Sequence, residues 1–206
     1  MLSAGAGPFI PASKSLRVLR AASQDCHGCP LYKYATQTVF GEGDSSARIL
    51  MIGQQPGNDE DLAGRPFVGP AGRVLDRALE DAGLSREQIY LTNAVKHFKF
   101  EERGKRRIHK KPSATEVQAC KPWLEAEVKL VHPHLIVCLG ATAAAALFGS
   151  RFRLTKDRGK ALDHPWAPFA LATIHPSAVL RIIDSDQRLA EYGRLVADLR
   201  AAAKLM

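Results

Sequence analysis

The 206-residue sequence holds no apolar run approaching the roughly 20 residues that a membrane-spanning helix needs, so a bilayer-spanning protein is not expected. Met1 to Pro11 lacks a charged segment followed by an apolar core, so it does not read as a secretory signal, and a cytoplasmic location is expected. Cysteine is sparse: four residues in a chain without a signal argue against a disulfide framework and leave metal binding or buried thiols. Internal repeats and low-complexity linkers are also missing. With 46% hydrophobic residues the composition is that of an ordinary globular chain, and one domain over residues 1–206 is expected, with 1–12 flexible.

What the chain has in excess is positive charge. The net charge is +8 and the isoelectric point about 9.5. Between Lys96 and Lys111 stand eight Lys or Arg against Glu101 and Glu102, a local net of +6, so most of the excess sits in this one stretch. Charge gathered in this way favours a polyanionic partner, nucleic acid above all. Taken alone it describes a solvated basic loop that touches phosphates without regard to sequence.

Around that loop the pattern alternates between strand and helix. Residues 13 to 23 read as a short helix leading into Cys26-His27-Gly28-Cys29-Pro30. Arg48 to Ile52 is a compact apolar strand that stops at Gly53-Gln54-Gln55-Pro56-Gly57. Gly64 to Gly69 then leads into a helix that starts near Pro70, carries Val74, Leu75, Ala78, Leu79 and Ala82 on one face, and stops at Gly83. The second strand spans Ile89 to Val95. Ser113 and Glu116 form a capping box for a helix reaching Val131, with a kink or restart expected at Pro122. Leu135 to Leu139 is the third strand, and Gly140 opens an alanine-rich helix, Ala141 to Phe148, ended by Gly149. The fourth strand, Phe169 to Ile174, runs into His175-Pro176-Ser177, and an amphipathic helix with Leu189, Tyr192, Leu195, Val196 and Leu199 closes the chain.

Strands that read as continuous apolar runs between helices imply a parallel sheet covered on both faces. The expected fold is α/β, a three-layer α/β/α sandwich around a mostly parallel four-stranded sheet. Gly53 to Gly57, Asn93 and His175 all fall at the C-terminal ends of strands, the edge at which such sheets bind ligands.

These residues carry a resemblance. Strand-Gly-x-x-Pro-Gly, then Gly64-Arg65-Pro66-Phe67-Val68-Gly69, then Thr92-Asn93-Ala94-Val95-Lys96, then His175-Pro176-Ser177-Ala178-Val179-Leu180-Arg181 resemble the iron–sulfur uracil-DNA glycosylases of the family 4 type. Val95 to Phe100 followed by Lys105-Arg106-Arg107-Ile108-His109 resembles the X-type members, which bind uracil-DNA covalently. The likeness runs from about Cys26 to Arg181, and the Lys-Arg-Arg-Ile-His element is its most specific part.

The resemblance implies a [4Fe-4S] cluster on Cys26, Cys29, His97 and Cys120, with His97 where family 4 carries a cysteine. From the donor types alone, structural zinc suits the set equally, and Cys138 is an alternative ligand, although an apolar strand position suits a buried thiol better. The resemblance further implies that Asn93 reads the uracil edge, that Phe67 stacks on the ring beside the Gly53, Gln55, Pro56 and Gly57 loop, and that His175 donates to O2 as negative charge develops there. His109 would attack the sugar C1′ once uracil leaves, in place of water, with Arg107 orienting it and Ile108 anchoring the loop on the core. Lys105, Arg106, Lys110, Ser177 and Arg181 would contact phosphates. Gln54 stands where the family pattern has Glu, which puts the excision rate in doubt more than binding.

The implied partner is uracil-containing DNA, single strands preferred because no pairing must be broken, bound by a monomer. Two other readings stay open on the residues: a hydrolytic glycosylase that turns over, and a non-catalytic, metal-stapled nucleic-acid-binding module.

Overall fold

The computed structural model describes residues 5–206; residues 1–4, part of the expected flexible run over 1–12, lie outside them. The second half of that run is not loose. Ala6 is buried, its N–H donates to Ala119 O at 2.7 Å, and the 3₁₀ turn Gly7–Phe9 follows. A small apolar residue against a helix holds the segment down, which composition alone does not reveal.

In chain order the elements are α1 (Leu16–Ser23), β1 (Ile49–Gly53), α2 (Asn58–Ala63), α3 (Pro70–Ala82), β2 (Ile89–Asn93), β3 (Phe100–Arg103), β4 (Arg106–His109) and α4 (Ala114–Val131). Then come β5 (Leu135–Leu139), α5 (Ala141–Phe148), α6 (Leu154–Asp157), β6 (Leu162–His164), β7 (Ala167–Thr173), α7 (Pro176–Leu180) and α8 (Ser185–Ala203).

The main sheet has the order β2-β1-β5-β7-β6. β2, β1, β5 and β7 are parallel, and every residue of β1, β2 and β5 is buried, as strands covered on both faces must be. One core packs Met51, Leu75, Leu79, Val137, Leu195 and Leu199 between the sheet and α3 with α8. The opposite core packs Leu50, Ile52, Ile136, Leu124, Val128 and Leu147 against α4 and α5. The three-layer α/β/α sandwich is therefore present.

Three local expectations need correction. The sheet has five strands, not four, because β6 adds an antiparallel edge to β7. Its Leu162-Asp163-His164 is short, partly exposed and without an apolar run, so it carries no strand signal. Pro122 neither ends nor restarts α4, which continues to Val131; burial of Cys120, Trp123, Leu124, Glu127 and Val128 on both sides outweighs the lost N–H. Finally, the basic loop is a two-stranded antiparallel hairpin, β3 with β4, turning at Lys105 beside Gly104, whose φ is 59°. No helix among the described residues is long and apolar enough to cross a membrane.

Candidate active site

The C-terminal ends of β1, β2, β5 and β7 open into a cleft of about 760 Å³. Gln54, Gln55, Gly57, Phe67, Asn93, His109, His175, Ser177 and Arg181 all line it. So do Glu60 and Thr142, neither of which was among the expected site residues. The floor is tightly built. A Cβ on Gly53 would lie 2.3 Å from Asn93 Oδ1 and 2.6 Å from Phe67 Cζ, so only glycine lets these two side chains meet behind β1. Phe67 itself has φ 56°, a left-handed conformation that costs a bulky residue energy. Its ring lies roughly parallel to that of His175, 25° between planes and 6.1 Å between centroids.

Hydrogen bonding fixes the tautomer of His175. Ser177 N–H donates to His175 Nδ1 at 3.2 Å, so Nδ1 carries the lone pair and Nε2 carries the proton. Ser177 Oγ lies 2.8 Å from the same nitrogen and accepts from Arg181 Nη1 at 3.1 Å. Burial, with the nearby Arg181 and His109, lowers the His175 pKa to about 4. The ring is thus a neutral N–H donor at ordinary pH.

Glu60 joins the two glycine-rich segments of the wall. Its Oε2 accepts from Gly57 N–H at 3.0 Å and its Oε1 from Gly69 N–H at 2.9 Å. The signal was available, since a Glu three residues after a Gly helix cap marks a capping box. Gln54 donates through Nε2 to Thr142 Oγ1 at 2.6 Å. Gln55 turns to the hairpin base, where Nε2 donates to Lys99 O at 3.0 Å and Lys110 O at 3.1 Å, while Oε1 accepts from Lys99 N–H.

The hairpin carries His109 into the cleft wall. The imidazole is accessible to solvent but crowded by that wall, and desolvation, followed by Arg181, lowers its pKa below the ordinary value. Arg107 spends its guanidinium within the protein: Nη1 meets Asp61 Oδ2 at 2.6 Å and Thr36 Oγ1 at 3.1 Å, and Nε meets Asn58 Oδ1 at 2.8 Å. The same group lies over the Phe98 and Phe100 rings. Ile108 does not anchor the hairpin on the core; it is 40% exposed and lines the cleft, because Arg107 and the aromatic pair already occupy the inner contact.

Half of the +6 is neutralised by carboxylates outside the stretch: Lys96 pairs with Glu127, Lys99 with Glu116 and Arg107 with Asp61. Arg103 and Lys110 share Glu101, which that net already counts. Among the described residues Lys105, Arg106 and Lys111 have no ion-pair partner, whereas Lys110 is engaged.

Cys26, Cys29 and Cys120 are buried in one cluster with Leu19, Phe40 and Trp123. Trp123 Nε1–H donates to Cys26 Sγ at 3.2 Å and Lys96 N–H to Cys120 Sγ at 3.3 Å. Thr38 Oγ1 donates to Ser23 O, so at 2.9 Å it must accept from His97 Nε2–H, which leaves the His97 lone pair on Nδ1. Burial lowers the His97 pKa to about 4 and raises that of Cys120 to about 12. N–H donors aimed at sulfurs and a histidine whose tautomer is set by a hydroxyl are the surroundings that metal-binding thiolates and imidazoles require. Among the described residues no three such donors converge on a single-ion point; the three thiols share one buried cluster, and His97 follows Lys96, whose N–H reaches Cys120 Sγ. Cys138 lies apart on β5, fully buried in the opposite core.

A cleft at the C-terminal edge of a parallel sheet, walled by an aromatic ring, an amide and a neutral imidazole donor, defines an α/β protein whose site suits a flat, hydrogen-bonding heterocycle. Residues 40–200 match the family model described as uracil DNA glycosylase superfamily, and the chain belongs to that superfamily. It is 36% identical over 167 residues to a type-4 uracil-DNA glycosylase of Thermotoga maritima, covering 81% of this chain and 83% of the relative. It is also 36% identical to a type-4 uracil-DNA glycosylase of Archaeoglobus fulgidus, over 75% of this chain and 78% of the relative. A type-5 uracil-DNA glycosylase of Thermus thermophilus is 33% identical, over 70% and 71% respectively.

Proposed function

We propose that the protein excises uracil from DNA, as a repair enzyme, and then retains the abasic sugar covalently through His109. The observation that carries this reading is a pair of neutral imidazoles on one cleft, the N–H donor of His175 at its floor and the accessible ring of His109 at its wall.

A flipped uracil would lie against Phe67 with its O4 and N3–H edge on the Asn93 amide, which offers one donor and one acceptor. His175 Nε2–H would hydrogen-bond O2. As the C1′–N1 bond breaks, its electron pair leaves with uracil, and a fixed donor at O2 favours that charge. Gln54 carries no charge to stabilise the cationic sugar, so excision is expected to be slower than with Glu there. A lone pair of His109 then forms a bond to C1′, and the imidazolium so formed releases its N–H proton to solvent. Proximity on a held hairpin lets the ring outcompete water. Arg107, bound to Asp61, positions the hairpin and does not touch the reacting atoms. Lys105 and Arg106, with Ser177 and Arg181 at the opposite wall, contact phosphates; Lys110 does so only by leaving Glu101. Single strands are preferred and the protein acts as a monomer.

Cys26, Cys29, His97 and Cys120 would hold the [4Fe-4S] cluster that the family 4 resemblance implies, and the cluster would tie the N-terminal segment to α4. Iron content and visible absorbance of the purified protein separate it from zinc.

The resemblance between the chain and type-4 enzymes supports a second reading, hydrolysis with turnover. Mixing the protein with a uracil oligonucleotide and running denaturing electrophoresis decides between them. A heat-resistant shifted band, lost in His109→Ala, is expected. Free uracil from many turnovers with unmodified protein would establish hydrolysis, and salt-sensitive binding indifferent to uracil or thymine would leave only a binding module.

A further inference from the structure

Directly behind Asn93 lies a buried polar cluster that packing does not call for. Lys96 and Glu127 are both wholly buried and paired, and neither lines the cleft. Lys96 Nζ donates to Glu127 Oε2 at 2.5 Å, to Thr92 Oγ1 at 2.6 Å and to the backbone O of Asn93 at 2.9 Å, so all three of its protons are used. Glu127 Oε2 also accepts from Thr92 Oγ1–H at 2.8 Å, and Oε1 accepts from Gly41 N–H at 2.8 Å and Tyr90 Oη–H at 3.2 Å.

Desolvating two full charges is costly, and apolar residues of similar volume often serve a core as well or better. The retention of this pair therefore asks what the charges fix. Its contacts converge on one place, the end of β2. Ala94 N–H donates to Gly53 O and Val95 N–H to Gln54 O, which hold the outer side of the turn after Asn93. The backbone O of Asn93 itself is held by Lys96, which folds back on its own strand end and is in turn held by Glu127 from α4.

We infer that the Lys96–Glu127 pair is a positioning device for Asn93, setting the orientation of the amide that distinguishes uracil from cytosine. Cytosine presents the reverse donor and acceptor pattern at the same two positions, so discrimination depends on the amide being held in one orientation and place. A site built on paired hydrogen bonds rejects the wrong base by leaving its own polar atoms unpaired, and a rotated amide forfeits that rejection. Misplacement by about 1 Å can cost on the order of 100-fold in rate. The inference rests on Asn93 being the uracil reader.

The test uses the full chain, with single-turnover excision from uracil- and cytosine-containing oligonucleotides, thermal unfolding and metal content measured for each variant. Lys96→Met/Glu127→Leu removes both charges and also leaves Gly41 N–H, the Tyr90 and Thr92 hydroxyls and Asn93 O without these partners, so its melting temperature should fall, and the variant, assayed well below that temperature, should lose about 100-fold in uracil excision and part of its preference over cytosine. Glu127→Gln keeps the volume and most acceptors and should lose about tenfold. If either variant, folded and with the parent's metal content, excises uracil at the parent rate and selectivity, the pair is merely structural and the inference fails. A parent chain that leaves uracil-DNA untouched fails the underlying reading instead, and the positioning role with it.

Discussion

The two walls of the cleft are built on opposite principles. The floor comes from strand ends and the loop before α3: Asn93 and Phe67 are buried, backed by Gly53, and tied in by Glu60 and the Ser177–Arg181 contacts to His175. The hairpin has four-residue strands with mostly exposed side chains, and a few polar fastenings attach it: Gln55 at its base, Lys99 on Glu116, and Arg107 on Asp61. Recognition needs a fixed shape, so it is placed where the core enforces one. On the proposed reading, delivery of a nucleophile needs reach, and a hairpin held by hydrogen bonds and one inner ion pair would supply it. Damage to the floor should therefore abolish excision, whereas damage to the hairpin's fastenings should spare excision and reduce trapping.

The sharpest contrast is expected from His175→Ala. Removing one preorganised donor at a developing oxyanion costs about 100- to 1,000-fold in rate, so single-turnover uracil release should fall by that order while the DNA-binding salt dependence stays the same. Release within threefold of the parent would place the catalytic donor elsewhere and erase the distinction between floor and hairpin.

A smaller effect is expected from the fastening. Arg107→Ala leaves the Asp61 carboxylate, which is fully buried, accepting from Thr36 N–H alone, and it removes the guanidinium from over Phe98 and Phe100. The adduct-forming step should slow by about tenfold, from loss of positioning, with uracil release little changed. Equal loss in both steps would mean that the hairpin and floor act as one unit. Arg107→Lys should retain only part of the trapping, since an ammonium cannot serve Asp61, Asn58 and Thr36 from a planar fork.

How far the sequence reveals this division depends on how local its signals are. β1 and β5 were legible because uninterrupted apolar runs leave a parallel strand as the reading, and the shared address of Asn93, Gly53 and His175 follows from strand order. The resemblance brought His109 and the four metal-ligand candidates into view as residue types in a pattern. What remained hidden involves partners distant in sequence. Nothing near Arg107 announces Asp61, 46 residues earlier, and nothing near Lys96 announces Glu127 on a helix face that reads as mixed. The charge run shows the same limit: counting residues gives +6, but Glu127, Glu116 and Asp61, all outside the stretch, pair with three of its cations, so the count overstates what remains for phosphate.

The smallest of the expected effects is also the one that separates the walls without mutation. Both imidazoles must be neutral to act, His175 to keep Nδ1 free for Ser177 N–H and His109 to offer a lone pair. The folded pKa of each is below the ordinary 6.5, so the active form is complete above that value and is lost only as pH falls through the lowered one. For His175 that point is about 4, set first by burial. His109 is lowered by the same cause, but its ring is accessible to solvent and it should begin to protonate first as the pH falls. As the pH is lowered from 7, the fraction of protein trapped on DNA should decline before released uracil does. Parallel quantification of free uracil and of the heat-resistant band in one reaction series measures both. A common decline centred near 6.5 would show that neither ring is shielded, and that the floor differs from the hairpin in shape but not in electrostatics.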